Sequence, residues 1–140
     1  MKNRIRTLLK IIAISILIFA YPAFVLGYTW SHVASSDLPG GRNGPLDAYR
    51  HTLASAVVAY TLNARAVEWV TAVMEAPGRP SNLMDRHNNR LGASIGSHVQ
   101  SFVEIEPLVS VRVRDGQINA TSAAQVTWLP PSRWRSDRLW

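Results

Sequence analysis

Apolar positions recur along the chain in blocks of helical period. The first block is continuous: Ile11 to Tyr28 is an 18-residue stretch with no charge, close to the roughly 20 residues a bilayer-spanning helix needs. Ser31 to Gly44 breaks the pattern with Ser35-Ser36, Pro39-Gly40-Gly41 and Asn43-Gly44, and reads as a linker. From Pro45 to Leu62, the residues Leu46, Tyr49, Leu53, Ala56, Val57 and Tyr60 recur at spacings of three and four. They predict a helix with Pro45 at its first position, where the missing N–H costs nothing. Ala64 to Ala76 is a second helical segment with Val67, Val70, Val73 and Met74 on one side. Asn63 either separates the two or lies in one bent helix, and Pro77-Gly78-Arg79-Pro80 stops the run.

A third helix is expected from Asn82 to Phe102, capped by Ser81 or Asn82, with Leu83, Met84, Leu91, Ile95, Val99 and Phe102 as its apolar side. Gly92 and Gly96 share one face of it. A glycine costs roughly 1 kcal/mol inside a helix, so two at that spacing imply a close neighbour. In Pro107 to Gly116, alternation of Val109, Val111 and Val113 with polar residues suggests a strand, and Asp115-Gly116 a hairpin turn. A short helix from Pro107 to a Gly116 cap is the alternative, and the lack of a partner strand favours it. The tail from Thr121 contains Pro130-Pro131 and is expected to be an extended arm across the domain. The fold class is therefore mainly α: a transmembrane or signal helix (1–30), a linker (31–44) and a small helical domain with an extended C-terminal tail (45–140).

Charge sharpens the reading of the first block. Lys2, Arg4, Arg6 and Lys10 precede it, and without them the chain's 15 Lys+Arg and 9 Asp+Glu become 11 against 9, a net of +2. The basic character therefore belongs to the N-terminus and does not indicate a nucleic-acid partner. A basic head before an apolar core is the pattern of a signal anchor or a signal peptide. For an anchor, Tyr21, Tyr28 and Trp30 suit the outer interface. For a cleaved peptide, Pro22 ends the core and Val25-Leu26-Gly27 precedes the cut. Either way the basic end stays cytoplasmic. The expected location is the bacterial inner membrane with an exported, periplasmic or extracytoplasmic domain, or secretion if cleavage follows Gly27. The chain has no cysteine, which excludes disulfides, thiolate metal sites and a Cys nucleophile.

Candidate chemistry lies in two polar clusters. In Asp47-Ala48-Tyr49-Arg50-His51, Asp47 and His51 are four apart and share a helix face. In Met84-Asp85-Arg86-His87-Asn88-Asn89-Arg90, Asp85 shares a face with Asn88 and Asn89, while His87 projects about 200° away. If the two helices pack antiparallel, His51 can meet Asp85. A carboxylate accepting from one imidazole nitrogen leaves the other to take a proton from water. His51 and Asp85 are thus the candidate catalytic pair. Asp47, Arg50, His87, Asn88 and Asn89 are candidates to line the site and hold a polar substrate group or developing negative charge. A divalent metal is an alternative use of the same side chains, although no complete ligand motif is present. Asp47 and Asp85 each also suit a helix start, and His51 alone suits a hydrogen-bonded core position.

The two clusters, from Pro45 to Gly96, resemble a helical bacterial family of unknown function found in exported proteins and at the ends of toxin-like proteins. Its pattern is Asp-Ala-aromatic-Arg-His followed by Asp-x-His-Asn-Asn-x-x-Gly. The resemblance implies a mainly helical fold and no established reaction. A more remote similarity is to secreted phospholipase A2 enzymes, which place a His beside an orienting Asp on an antiparallel helix. Thr52 stands where their calcium-binding Asp follows the His, and the disulfides are missing. Two functions are consistent with these features. One is a hydrolase using a His–Asp pair on a lipid or other envelope substrate. The other is a non-catalytic, membrane-anchored interaction or structural protein whose polar clusters are a buried hydrogen-bond network, with an envelope protein as partner.

Overall fold

The computed structural model describes residues 2–74 and 78–137. The end expected for the second helical segment at Ala76, and the closing Arg138-Leu139-Trp140 of the tail, lie outside the described residues. Among the described residues the chain is mainly α-helical: α1 Lys2–Ser35, α2 Pro45–Thr61, α3 Ala64–Met74, α4 Pro80–His98 and α5 Ile105–Arg114. A 3₁₀ turn, Phe102–Glu104, leads into α5. Two-residue strands β1 (Gln117–Ile118) and β2 (Thr127–Trp128) pair in parallel.

α1 is longer than the uncharged stretch and runs through Pro22 without ending there. It also continues past Ser31, so the connection expected from Ser31 begins only after Ser35. Val25, Thr29 and Val33 are buried and lie four apart, which gives the second half of α1 one stripe facing the domain. From Arg4 to Ala20 the described side chains are exposed. Hence the N-terminal half of α1 is exposed and its C-terminal half packs on the domain along one stripe.

The relative directions of the helices follow from their contacts. Tyr21 of α1 meets Thr61 of α2, and Trp30 meets Arg50, so α1 and α2 are antiparallel. His51 meets Asp85 and Ser55 meets Asn89, both at the same offset, so α2 and α4 are parallel. The antiparallel arrangement expected from the sequence is therefore incorrect, and with it the helix geometry of the phospholipase A2 analogy. The reason is α3: Asn63 is a true break, α3 returns along α2, and α4 then runs in the original direction.

Gly92 and Gly96 account for the closeness of α2 and α4. A Cβ at Gly92 would strike the Thr52 carbonyl oxygen, and one at Gly96 the Ala56 carbonyl oxygen. α4 starts two residues earlier than expected, with Pro80 in its first turn and no side-chain cap from Ser81 or Asn82. It also ends at His98, short of Phe102. The stretch around Pro107 is helix, not hairpin: Val109 and Val113 are buried while Val111 is exposed, a period of four that no strand gives. The core joins these valines to Leu46, Leu53, Val57, Ile105 and Val126. The expected apolar side of α3 is only partly inward, since Val67 is buried but Val70 and Val73 face outward.

The tail folds back as the expected arm. Arg42 and Arg135 form an antiparallel bridge, and the Asn43 carbonyl accepts from the Leu129 N–H.

Candidate active site

α2 brings Asp47, Arg50 and His51 to one face through its first two turns. Asp47 lies in the first turn, where the helix dipole favours an acid. Its carboxylate does more than cap. Oδ2 accepts the backbone N–H of Asn43 at 2.6 Å, and Oδ1 is ion-paired with Arg50. Asn43 adopts a left-handed backbone, φ 63°, which asparagine tolerates better than most residues. Arg50 is held on three sides, by Asp47, by the Gly41 carbonyl oxygen at 3.4 Å and by the Trp30 ring 5.4 Å from its guanidinium carbon. Its charge is therefore fixed in place beside the cluster.

The parallel packing of α4 places Asp85 across from His51. His51 Nε2 lies 3.4 Å from Asp85 Oδ1 and 3.6 Å from Asp47 Oδ1. These distances exceed a standard hydrogen bond. Both carboxylates address the same ring nitrogen. The His51 side chain keeps 28% of its exposure and Asp85 keeps 16%, while Asp47 keeps 4%. His51 thus keeps partial exposure, while Asp85 Oδ1, the atom that faces it, is buried, and the Asp47 side is closed. Burial holds the His51 pKa below its usual value; Asp47 and a hydrogen bond with Asn89 oppose this, and Arg50 reinforces it.

Asn89 ties three helices together. Its Oδ1 accepts the Ser55 hydroxyl at 2.9 Å, and its amide donates to Thr71 Oγ1 at 3.2 Å. Asn89 also borders a groove of about 590 Å³ between α3 and α4, whose lining includes Arg86, Arg90 and Ala64. The groove meets the His51 cluster at Asn89.

The structure does not bring His87 and Asn88 to this site. His87 Nε2 is 2.7 Å from the Gln125 carbonyl oxygen. Asn88 is fully buried and pairs with the backbone of Thr127, donating to its carbonyl oxygen at 2.8 Å and accepting its N–H at 3.0 Å. Both residues clamp the C-terminal segment onto α4. Asp85, His51, Asp47, Arg50 and Asn89 are the sequence candidates that do converge. Sequence reasoning missed Ser55, Asn43, Gly41 and Trp30. Ser55 stands four residues after His51, a spacing that could have revealed it. The others act through backbone groups or long-range ring contact and leave no local signal.

Asp47, His51 and Asp85 offer three ligand atoms within 4.8 Å of one another and could hold a metal ion. Two carboxylates and an imidazole suit a divalent cation. Arg50 and the Asn43 N–H already engage both oxygens of Asp47, so an ion would compete with them. No protein-family model, curated protein or solved structure matches the chain.

Proposed function

We propose that the chain is a membrane-anchored hydrolase of the bacterial cell envelope, with His51 as general base and Asp85 as the group that orients it. The observation that carries this reading is His51, partly open to water, facing two carboxylates through one nitrogen. Those carboxylates favour the proton on Nε2, and Nδ1 takes a proton from the attacking water where that water replaces the Asn89 hydrogen bond. The lowered His51 pKa keeps the ring neutral, and so competent as a base, near neutral pH. Asp47 holds Arg50, and Arg50 supplies fixed positive charge for a developing oxyanion. Asn89 positions the ring. Asp47, His51 and Asp85 would be the residues holding a divalent ion, which would supply water activation and charge neutralisation.

The anchor reading is supported over cleavage. Gly27 lies inside a continuous helix, and a cut there would separate Val25 from a core that Thr29 and Val33 also enter. The domain would then be exported, on the side opposite the basic head.

A second reading draws on the Ser55–Asn89–Thr71 hydrogen-bond chain, which links α2, α4 and α3. There the cluster is a structural network in an interaction protein, with an envelope protein as partner. Purified full-length protein, incubated with envelope lipids and cell-wall fragments with and without chelator, separates the readings. Hydrolysis that survives chelation supports the His–Asp mechanism, and hydrolysis lost to chelation supports the metal variant. No hydrolysis of any envelope fraction contradicts the enzyme.

A further inference from the structure

We propose that the C-terminal arm, from Leu129 to Arg135, is a clamp that sets the positions of Asp47 and Arg50 in the His51 centre, with Asn43 and Trp134 as its positioning residues. This deepens the hydrolase reading above and rests on it for the chemistry of Asp47 and Arg50. The loop before α2 cannot hold charged groups in place unaided. Pro39-Gly40-Gly41-Arg42-Asn43-Gly44 has three glycines in six residues, and glycine has the most backbone freedom to lose. Gly40 and Asn43 both adopt a left-handed backbone, φ 70° and 63°. Yet this loop supplies the Asn43 N–H that binds Asp47 Oδ2 and the Gly41 carbonyl that accepts from Arg50. Its Pro39 and Gly40 carbonyls also accept the Leu46 and Asp47 N–H groups, at 3.0 and 3.4 Å. Those first-turn donors have no partner within the helix.

The arm fixes this loop from its other side. Asn43 is engaged by every polar group it has. Its N–H donates to Asp47, its carbonyl accepts the Leu129 N–H at 3.0 Å, and its side-chain amide donates to the Arg133 carbonyl at 2.9 Å. Arg42 and Arg135 exchange both backbone hydrogen bonds, at 3.2 and 3.1 Å. Trp134 covers the first glycine: a Cβ at Gly40 would lie 3.0 Å from its ring. The indole N–H donates to the Leu129 carbonyl at 2.6 Å, which ties the two ends of the arm together. The arm leaves from a fixed base. Val126 is fully buried in the core, and the Val126 and Trp128 carbonyls accept the Gln117 and Asn119 N–H groups at 3.0 and 2.9 Å.

The clamp reaches the centre through one carboxylate. Asp47 Oδ2 takes the Asn43 N–H while Oδ1 faces His51 Nε2 at 3.6 Å and pairs with Arg50. A bond on the first oxygen therefore orients the second. With the loop released, the carboxylate is free to rotate and Arg50 loses the Gly41 carbonyl. The contact between α2 and α4 does not depend on the arm, because Gly92 and Gly96 rest on the Thr52 and Ala56 carbonyls. Release should thus disturb the centre without unfolding the helices. Arg50 acts on charge that develops only in the transition state, so the cost falls on kcat and not on KM.

The test uses the isotope-labelled full chain in detergent micelles, read by NMR and by amide hydrogen exchange. In the parent the Asn43 amide proton should lie far downfield and exchange slowly, because its 2.6 Å bond is to a carboxylate. In Trp134→Ala and in Asn43→Gly the amide at 43 should move upfield and exchange about tenfold faster, the worth of one hydrogen bond. The amides of Ala56 and Val57 should keep their protection. Trp134→Phe keeps a ring on Gly40 and should restore most of the signal. Arg133→Ala combined with Arg135→Ala removes two charges, keeps the backbone contacts and should change nothing. An unmoved amide at 43 in both clamp variants overturns the proposal. So does protection lost equally at Ala56 and Val57, or an arginine variant that matches Trp134→Ala. On envelope lipids and cell-wall fragments, Trp134→Ala should lower kcat by up to about 10²-fold with KM little changed. A raised KM at unchanged kcat overturns the assignment to Asp47 and Arg50. If the parent cleaves neither substrate, the hydrolase reading falls, and the amide at 43 still decides the clamp.

Discussion

The two sides of α4 carry the same residue types and do different work. Asp85 and Asn89, four apart, face α2 and α3 and meet His51, Ser55 and Thr71. His87 and Asn88 face the C-terminal segment and hold the backbone of Gln125 and Thr127. In sequence the four are one polar run. The helical period divides them, about 100° per residue. One side keeps access to water and faces ionisable groups. The other closes over Asn88, leaves His87 partly buried, and satisfies backbone donors and acceptors of the C-terminal segment. A dense polar motif is thus a weaker sign of chemistry than which of its members share a face.

The contact between α2 and α4 supports the chemical side, and breaking it should have the largest effect. Gly96→Leu would drive a side chain into the Ala56 carbonyl, where backbone cannot yield as a flexible side chain does. We expect a loss of about 3 kcal/mol in stability, read by urea unfolding, and loss of the site with it. An unchanged unfolding midpoint would remove the close-packing argument. Next comes the side that holds the C-terminal segment. Asn88→Ala leaves the N–H and carbonyl of Thr127 without their partner and should cost about 1–3 kcal/mol, with turnover per folded molecule unchanged. Collapsed turnover at unaltered stability would show that the two sides are not separate.

A smaller effect concerns pH. The acid limb of activity should lie below the usual histidine value of about 6.5, because burial and Arg50 lower the His51 pKa. Arg50→Gln removes one cause of that lowering, so the limb should move to higher pH. Stability has a definite sign as well. As pH falls below about 6.5 the unfolded chain takes up the proton first. The contribution of His51 is full above that value and is lost as pH falls through the folded-state pKa. A limb that moves to lower pH in Arg50→Gln would contradict this assignment. The smallest effect is expected for His87→Ala, which removes one partly buried hydrogen bond and should cost about 1 kcal/mol. It should leave the pH profile of activity unmoved.

How much of this was legible in the sequence depended on the physics of each signal. Periodicity marked the helices, and Gly92 with Gly96 announced the close contact because a glycine pair in a helix interior otherwise only costs stability. The pairing of His51 with Asp85 was legible from residue type. Its direction was not, because that depends on whether Ala64–Met74 forms a separate helix that reverses the chain. Val70 and Val73 fit the inward side of α3 by spacing but are exposed, since periodicity records an apolar side without saying what it faces. Asn88 was indistinguishable from Asn89 until β2 was in place, because its partner is backbone 39 residues away. The hold of Gly41 and Trp30 on Arg50 also depends on the folded chain, where a carbonyl and a ring from separate segments converge.

The most direct test of the central claim is a double-mutant cycle on His51 and Asp85, read by hydrolysis rate and by melting temperature on the same full-length preparations. The account predicts that His51→Ala and Asp85→Asn each reduce the rate by about 10²–10⁴-fold. The double variant should be little worse than either single, because the two act as one unit, and all three should melt close to the parent. The opposite pattern, with turnover retained and stability lowered by about 1–3 kcal/mol in each single, would contradict the catalytic pair and leave a structural network in its place.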